Sequence, residues 1–225
     1  MTATKDESGK WAIEGVGPLS YDDLVEMVKK RIPFKFARYG DGEIYCMEGK
    51  SGRNTDKHQY FPSLGARLRI SIANKPDYFV GIQPLSVSHM PEIVDKYFAG
   101  MDLVNADLIH NASIDGRLNE ILDALNDRFC ILVGPFHLAN LFNGIHIVIN
   151  TVDCWLGYEQ TRRDLEFHLE GRDNAVVILC ASMMSEVLCS DFADSHHTFI
   201  DFGSALDPLV GINSRKYHFN LASKR

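Results

Sequence analysis

Short apolar runs rich in β-branched and aromatic residues alternate with helical apolar patterns along almost the whole chain, and this alternation constrains the fold most. The runs cover 34–38, 78–83, 103–110, 129–134, 145–150, 175–180 and 198–202. Between most of them, apolar residues recur at helical spacing, over 64–74, 91–98, 118–125, 156–169 and 183–191. A continuous apolar strand needs cover on both faces, and a helix after each strand supplies it. The expectation is an α/β protein: a single Rossmann-like, doubly wound, mostly parallel sheet. Ahead of the first strand, Ser20 followed by Asp23 reads as a capping box, with Leu24, Val25, Met27 and Val28 forming one helical face.

The series is broken by no Gly/Pro/Ser-rich linker and shows no repeat at a fixed period. With 225 residues, 45% of them apolar, one domain can bury a continuous core. We therefore expect one catalytic or binding domain over 19–225, preceded by an N-terminal extension over 1–18. A formal charge of -7 disfavours a broad polyanion-binding surface unless basic residues cluster locally, as Arg67, Arg69 and Lys75, or Arg162, Arg163 and Arg172, would. Scattered surface charge is the alternative reading of both groups. Cys46, Cys130, Cys154, Cys180 and Cys189 lack metal-site spacing and sit mostly in apolar runs, so reduced, buried thiols are expected. The first residues hold no apolar signal core and no apolar run is long enough to span a bilayer, which places the expected location in the cytoplasm.

Ligands of open parallel sheets bind beyond the carboxyl ends of the strands. Four segments should meet there: Gly40-Asp41-Gly42-Glu43, Gly134-Pro135, Ala181-Ser182 and Asp201-Phe202-Gly203. Asp41 and Glu43 stand one residue apart in a glycine-flanked turn, a spacing that lets both carboxylates reach one hard divalent cation such as Mn²⁺ or Mg²⁺. Arg38 would add a fixed positive charge. Tyr39-Gly40-Asp41-Gly42-Glu43 also reads as an ordinary tight turn, because Asp and Gly favour turns whatever their function.

The other candidates also carry two readings each. Gly134 and Ser182 would present helix N–H groups to phosphate, or else are small residues where strands turn. Asp201, at a strand end, is a general base, a sugar-hydroxyl ligand or a third metal ligand, against a buried capping role. Trp155 and Tyr158 stack on a base or sugar, or pack a helix onto the sheet. His196 and His197 point to opposite faces and open a strand rather than bind metal, and Cys46 has no paired base.

The segment Phe36-Ala-Arg38-Tyr39-Gly40-Asp41-Gly42-Glu43-Ile44 resembles the bacterial glycosyltransferase family of the GT-D type, formerly a domain of unknown function, with its R-[YF]-G-D-G-E motif. Segments 59–69, 150–158 and 175–203 look like that family in the same order, giving coverage of about 19–208. The resemblance implies a GT-D-like fold, a nucleotide-sugar donor, in that family a UDP-sugar, and Mn²⁺ or Mg²⁺ held by Asp41 and Glu43. On the residues themselves, Arg38, Gly40, Gly42, Gly134 and Ser182 are expected to face the donor, Asp201 or Glu43 to take the acceptor's proton, and a glycan or glycoprotein, ahead of a hydroxymethylated DNA base, to be the acceptor. Ser204 stands where that family commonly has histidine, and Cys180-Ala181-Ser182 where it has G-P-[ST]. Two rival functions use the same crevice: a metal-dependent phosphohydrolase acting on nucleotides or nucleotide-sugars, and a sugar-nucleotide-binding module without turnover.

Overall fold

The computed structural model describes residues 2–5, 11–14, 17, 19–72, 75–216 and 218. Within 1–18, β1 (Thr2–Lys5) and β2 (Trp11–Glu14) pair antiparallel as a ribbon of their own, and the Gly17 N–H donates to Leu103 O at 2.6 Å. The chain then enters α1 (Tyr21–Lys29), whose N-terminus carries the expected capping box. The Asp23 N–H donates to Ser20 Oγ at 3.1 Å, and the Ser20 N–H to Asp23 Oδ2 at 2.8 Å.

After α1 come β3 (Lys35–Tyr39), α2 (Asp41–Met47), α3 (Pro62–Ile70), β4 (Tyr78–Ile82), α4 (Pro84–His89), α5 (Pro91–Phe98) and β5 (Leu103–Asn105). The second half runs α6 (Leu108–Ile114), α7 (Leu118–Leu125), β6 (Cys130–Gly134), β7 (Gly144–Val148), α8 (Tyr158–Leu169), β8 (Val176–Leu179), α9 (Met184–Asp191) and β9 (Thr198–Asp201). Seven strands form one sheet in the order β5-β4-β3-β9-β8-β6-β7. Every pairing in it is parallel, where a mostly parallel sheet was expected.

The central strands are buried on both faces, with Val176, Val177, Ile178 and Leu179 of β8 each fully enclosed. One face is covered by α2, α3, α5, α8 and α9, through Ile44, Leu64, Phe98, Leu165 and Val187 among others. The opposite face is covered by α1, α6 and α7 through Leu24, Ile109 and Ile121. This three-layer arrangement is the solution that two-sided apolar strands require. Chain order reverses between β3 and β9: the chain grows outward from β3 through β4 and β5, then crosses to build the other half.

Three boundaries differ from the sequence reading. The run 103–110 is a strand only to Asn105, after which Leu108 opens α6; Asn105 and Asp107 interrupt the run where its period changes. Helix α3 ends at Ile70 rather than continuing to 74, which lies outside the described residues. Helix α4 fills a stretch that the sequence reading left unassigned, its first turn made by Pro84. All five cysteines are free and buried. Among the described residues, no helix is long and apolar enough to cross a membrane.

Candidate active site

The carboxyl ends of β3, β4, β8 and β9 surround a crevice of about 720 Å³. Arg38, Gly40, Asp41, Gly42, Glu43, Ser182 and Asp201 all line it, so the topology gathers segments up to 163 residues apart (201 − 38). Gly134 is the exception. It is the last residue of β6, its carbonyl accepts from the Ile149 N–H, and the following Pro135 reaches the crevice instead.

Gly40 is the N-cap of α2 and has no side chain to offer, so Glu43 reaches back and accepts the Gly40 N–H through Oε2 at 2.7 Å. A Cβ on Gly40 would stand 2.9 Å from Gln83 Oε1 and 3.2 Å from Glu43 Oε2, so only glycine lets both side chains close in. Asp41 Oδ1 accepts the Gly42 N–H at 3.0 Å, and the Asp41 side chain is exposed to the crevice. Burial pushes the Glu43 carboxyl up to about 7, and the nearby Asp201 and Asp41 charges add to that rise.

Deeper in the crevice lie two carboxyl groups that are nearly fully buried. Asp201 is 3% exposed and Glu186, one turn into α9, is 1% exposed. Burial raises both, and the neighbouring Glu43 and Asp201 charges add to the rise at Glu186. Asp201 Oδ1 also accepts the Gly203 N–H at 2.9 Å. Glu186 went unnoticed in the sequence reading. The available signal was an acidic residue inside Met183-Met184-Ser185-Glu186-Val187-Leu188-Cys189, a stretch that is otherwise apolar or small and entirely buried.

Arg38 lies at the wall of the crevice, but its guanidinium faces protein. Nε donates to Ala106 O at 2.6 Å, NH2 donates to His110 Nδ1 at 2.5 Å, and NH1 lies 3.7 Å from Asp201 Oδ2. Asp107 Oδ1 stands 3.8 Å from NH2. Accepting at Nδ1 keeps His110 neutral, and burial beside Arg38 holds its pKa well below the usual imidazole range. Gly203, at φ +53°, leaves room for this arrangement, since a Cβ there would sit 2.5 Å from Arg38 NH1. Arg38 thus ties β3 to the ends of β5 and β9.

Ser182 holds a left-handed backbone, φ +49°, and its Oγ accepts from Asn54 Nδ2 at 2.9 Å, which closes one crevice wall. Trp155 and Tyr158 are not in the lining. They stack on each other at 4.5 Å between ring centroids, and Trp155 Nε1 donates to Ser63 Oγ, so the packing reading holds. His197 Nδ1 accepts the Ala175 N–H at the far end of the sheet, and burial pushes the Cys46 thiol up to about 12. Both match a structural role. The two basic groups are dispersed: Arg67 pairs with Asp191, Arg69 with Met47 O and Lys75 with Asp194. Arg162 pairs with Glu166, Arg163 donates to Gln160 Oε1, and Arg172 donates to His168 O.

Among the described residues, no three His, Cys, Asp or Glu side chains converge closely enough to hold a metal ion unaided. The donor chemistry nonetheless fits a hard cation that also takes oxygens from a ligand. Six carboxyl groups line the crevice (Asp41, Glu43, Asp56, Glu186, Asp201 and Asp207), and Asp41 and Glu43 are oxygen donors at its open side.

No protein-family model matches the chain, and no curated protein matches it either. Solved structures do. One, described as "A New Glycosyltransferase (DUF1792) from Streptococcus sanguinis", superposes with a TM-score of 0.66 at 17% identity, over 85% of this chain and 82% of that one. A second, described as "The highly conserved domain of unknown function 1792 has a distinct glycosyltransferase fold", gives 0.62 at 17% identity, over 84% and 78%. The chain has their fold. At this identity the likeness speaks to architecture, so the chemistry rests on the crevice itself.

Proposed function

We propose that the chain is a metal-dependent glycosyltransferase that moves a sugar from a nucleotide-sugar donor, with UDP-sugars the first class to try, to an acceptor hydroxyl. The observation that carries this reading is the crowding of carboxyl groups at the switch point of a glycosyltransferase-type fold, where Asp41 and Glu43 face one another's charge at the mouth. Asp41 and Glu43 would hold Mn²⁺ or Mg²⁺, and the ion would supply positive charge to the departing diphosphate.

The chain's own residues do the remainder. Gly40 and Gly42 keep the β3–α2 turn thin, so Gln83 and Glu43 close in on Gly40 and Asn54 closes in on Gly42. Arg38 and the Gly203 N–H orient Asp201, whose Oδ2 takes the proton from the attacking acceptor hydroxyl. Glu186, buried near Asp201, adds a second carboxyl group at the floor. Glu43 is the alternative base, since its pKa of about 7 suits proton transfer near neutrality. A glycan or glycoprotein acceptor is favoured over DNA because the basic residues noted above are each engaged with a neighbouring group.

The test is turnover of UDP-, GDP- and TDP-sugars with Mn²⁺, with and without a panel of glycan acceptors. Sugar transfer that needs both metal and acceptor supports the proposal. Metal-dependent cleavage at the same rate without any acceptor indicates a phosphohydrolase, and binding without turnover indicates a binding module.

A further inference from the structure

We infer that Arg215, on the segment that follows the 3-10 turn Asp207–Val210, is the cation that meets the donor's diphosphate. The inference rests on the nucleotide-sugar reading above and assigns a residue to it. Among the described residues lining the crevice, the lysines and arginines are Arg38, Arg215 and Lys216. Arg38 has its guanidinium committed to Ala106, His110 and Asp201, with the Gly203 backbone close against it.

Arg215 is placed differently. Its side chain is 27% exposed, its Nε donates to Ser204 Oγ at 3.1 Å, and its NH2 donates to Asp56 Oδ2 at 2.6 Å. Ser204 follows β9, and Asp56 belongs to the loop after α2, so this one side chain joins two walls of the crevice. The segment that carries it is anchored. The Ile212 N–H donates to Asp207 O at 3.0 Å, Ser214 Oγ bonds Asp207 Oδ2, and His137 Nε2 lies 3.0 Å from Asp207 Oδ1. A partly exposed pair such as Arg215–Asp56 is a weak tie, readily exchanged. A diphosphate carries more charge than one carboxylate and matches the guanidinium fork with two oxygens. Arg215 therefore exchanges Asp56 for the incoming diphosphate while Ser204 keeps its Nε in place.

Calorimetric titration of UDP, GDP and TDP, and of the matching nucleoside, into the wild type, Arg215→Gln and Asp56→Asn, each with Mn²⁺ present, tests this. The nucleoside diphosphate bound by the wild type should bind Arg215→Gln about tenfold or more weakly, and with a shallower salt dependence. Nucleoside affinity should not change, and Asp56→Asn should bind the diphosphate at least as tightly as the wild type. Glutamine keeps a hydrogen-bonding amide but no charge, so a merely structural role would spare the diphosphate or weaken nucleoside and diphosphate alike. Unchanged diphosphate affinity in Arg215→Gln, or equal weakening of both ligands, overturns the inference while leaving the wild-type binding intact. Absence of any binding by the wild type removes the nucleotide-sugar reading and this inference together.

Discussion

Glu43 is the residue where burial and chemistry meet most sharply. Its carboxyl caps the α2 N-terminus through Gly40 and has a pKa raised to about 7, first by burial and then by neighbouring carboxylates. A carboxyl whose folded pKa exceeds its unfolded value keeps a proton that the unfolded chain has released. Between about 4.5 and about 7, stability contributed by this group must therefore fall as pH rises. Thermal unfolding of the wild type and Glu43→Gln across that window should show the wild type losing ground to the variant towards neutral pH; parallel curves would contradict it. Asp41→Asn, which keeps the turn and removes the charge, should lower metal-dependent turnover by about 100-fold or more with little change in Tm. At Gly203, alanine would need a left-handed backbone and would strike Arg38 NH1. Gly203→Ala should cost about 1–3 kcal/mol and lower activity further by displacing Arg38 from Asp201, as read by denaturant melts alongside turnover.

At the level of elements, two sites give contrasting expectations. Ser20→Ala removes half of the α1 capping box, on the surface, and should cost about 1 kcal/mol without touching activity. Gly65 in α3 packs against the backbone of α2, where a Cβ would overlap the Cys46 carbonyl. Because neither main chain can yield cheaply, Gly65→Ala should destabilise by about 3 kcal/mol or more and disturb the helix that carries Glu43; a denaturant midpoint equal to the wild type's would rule this out. These elements were largely legible beforehand, since β8 and β6 are apolar on both faces and α1 carries its own capping signal. The β5–α6 junction was not, because the mixed apolar and polar residues from Leu103 to His110 suit either period, and the helix buries Ile109 with residues of α1 and α7 that are distant in sequence.

Across the whole molecule, what could be read from the chain depended on whether the partners are neighbours in sequence. Asp41 and Glu43 were visible because their relation is local. The Arg215–Asp56 and Arg38–Asp201 pairs join residues 159 and 163 positions apart, and no local pattern announces them. The sheet order places β3 beside β9, and that adjacency brings Arg38 to Asp201 and Glu186 to Glu43's side of the crevice. Arg38, expected to hold the donor, acquires its structural partners from β5 and β9 for the same reason. The central claim is that this crevice takes a nucleotide-sugar with a metal held at Asp41 and Glu43. The most direct measurement is calorimetric titration of UDP-, GDP- and TDP-sugars into the wild type and Asp41→Asn, with and without Mn²⁺. The account predicts that at least one donor binds the wild type only with Mn²⁺ and that Asp41→Asn loses that binding; donor binding that ignores both the metal and the substitution, or no binding at all, would contradict it.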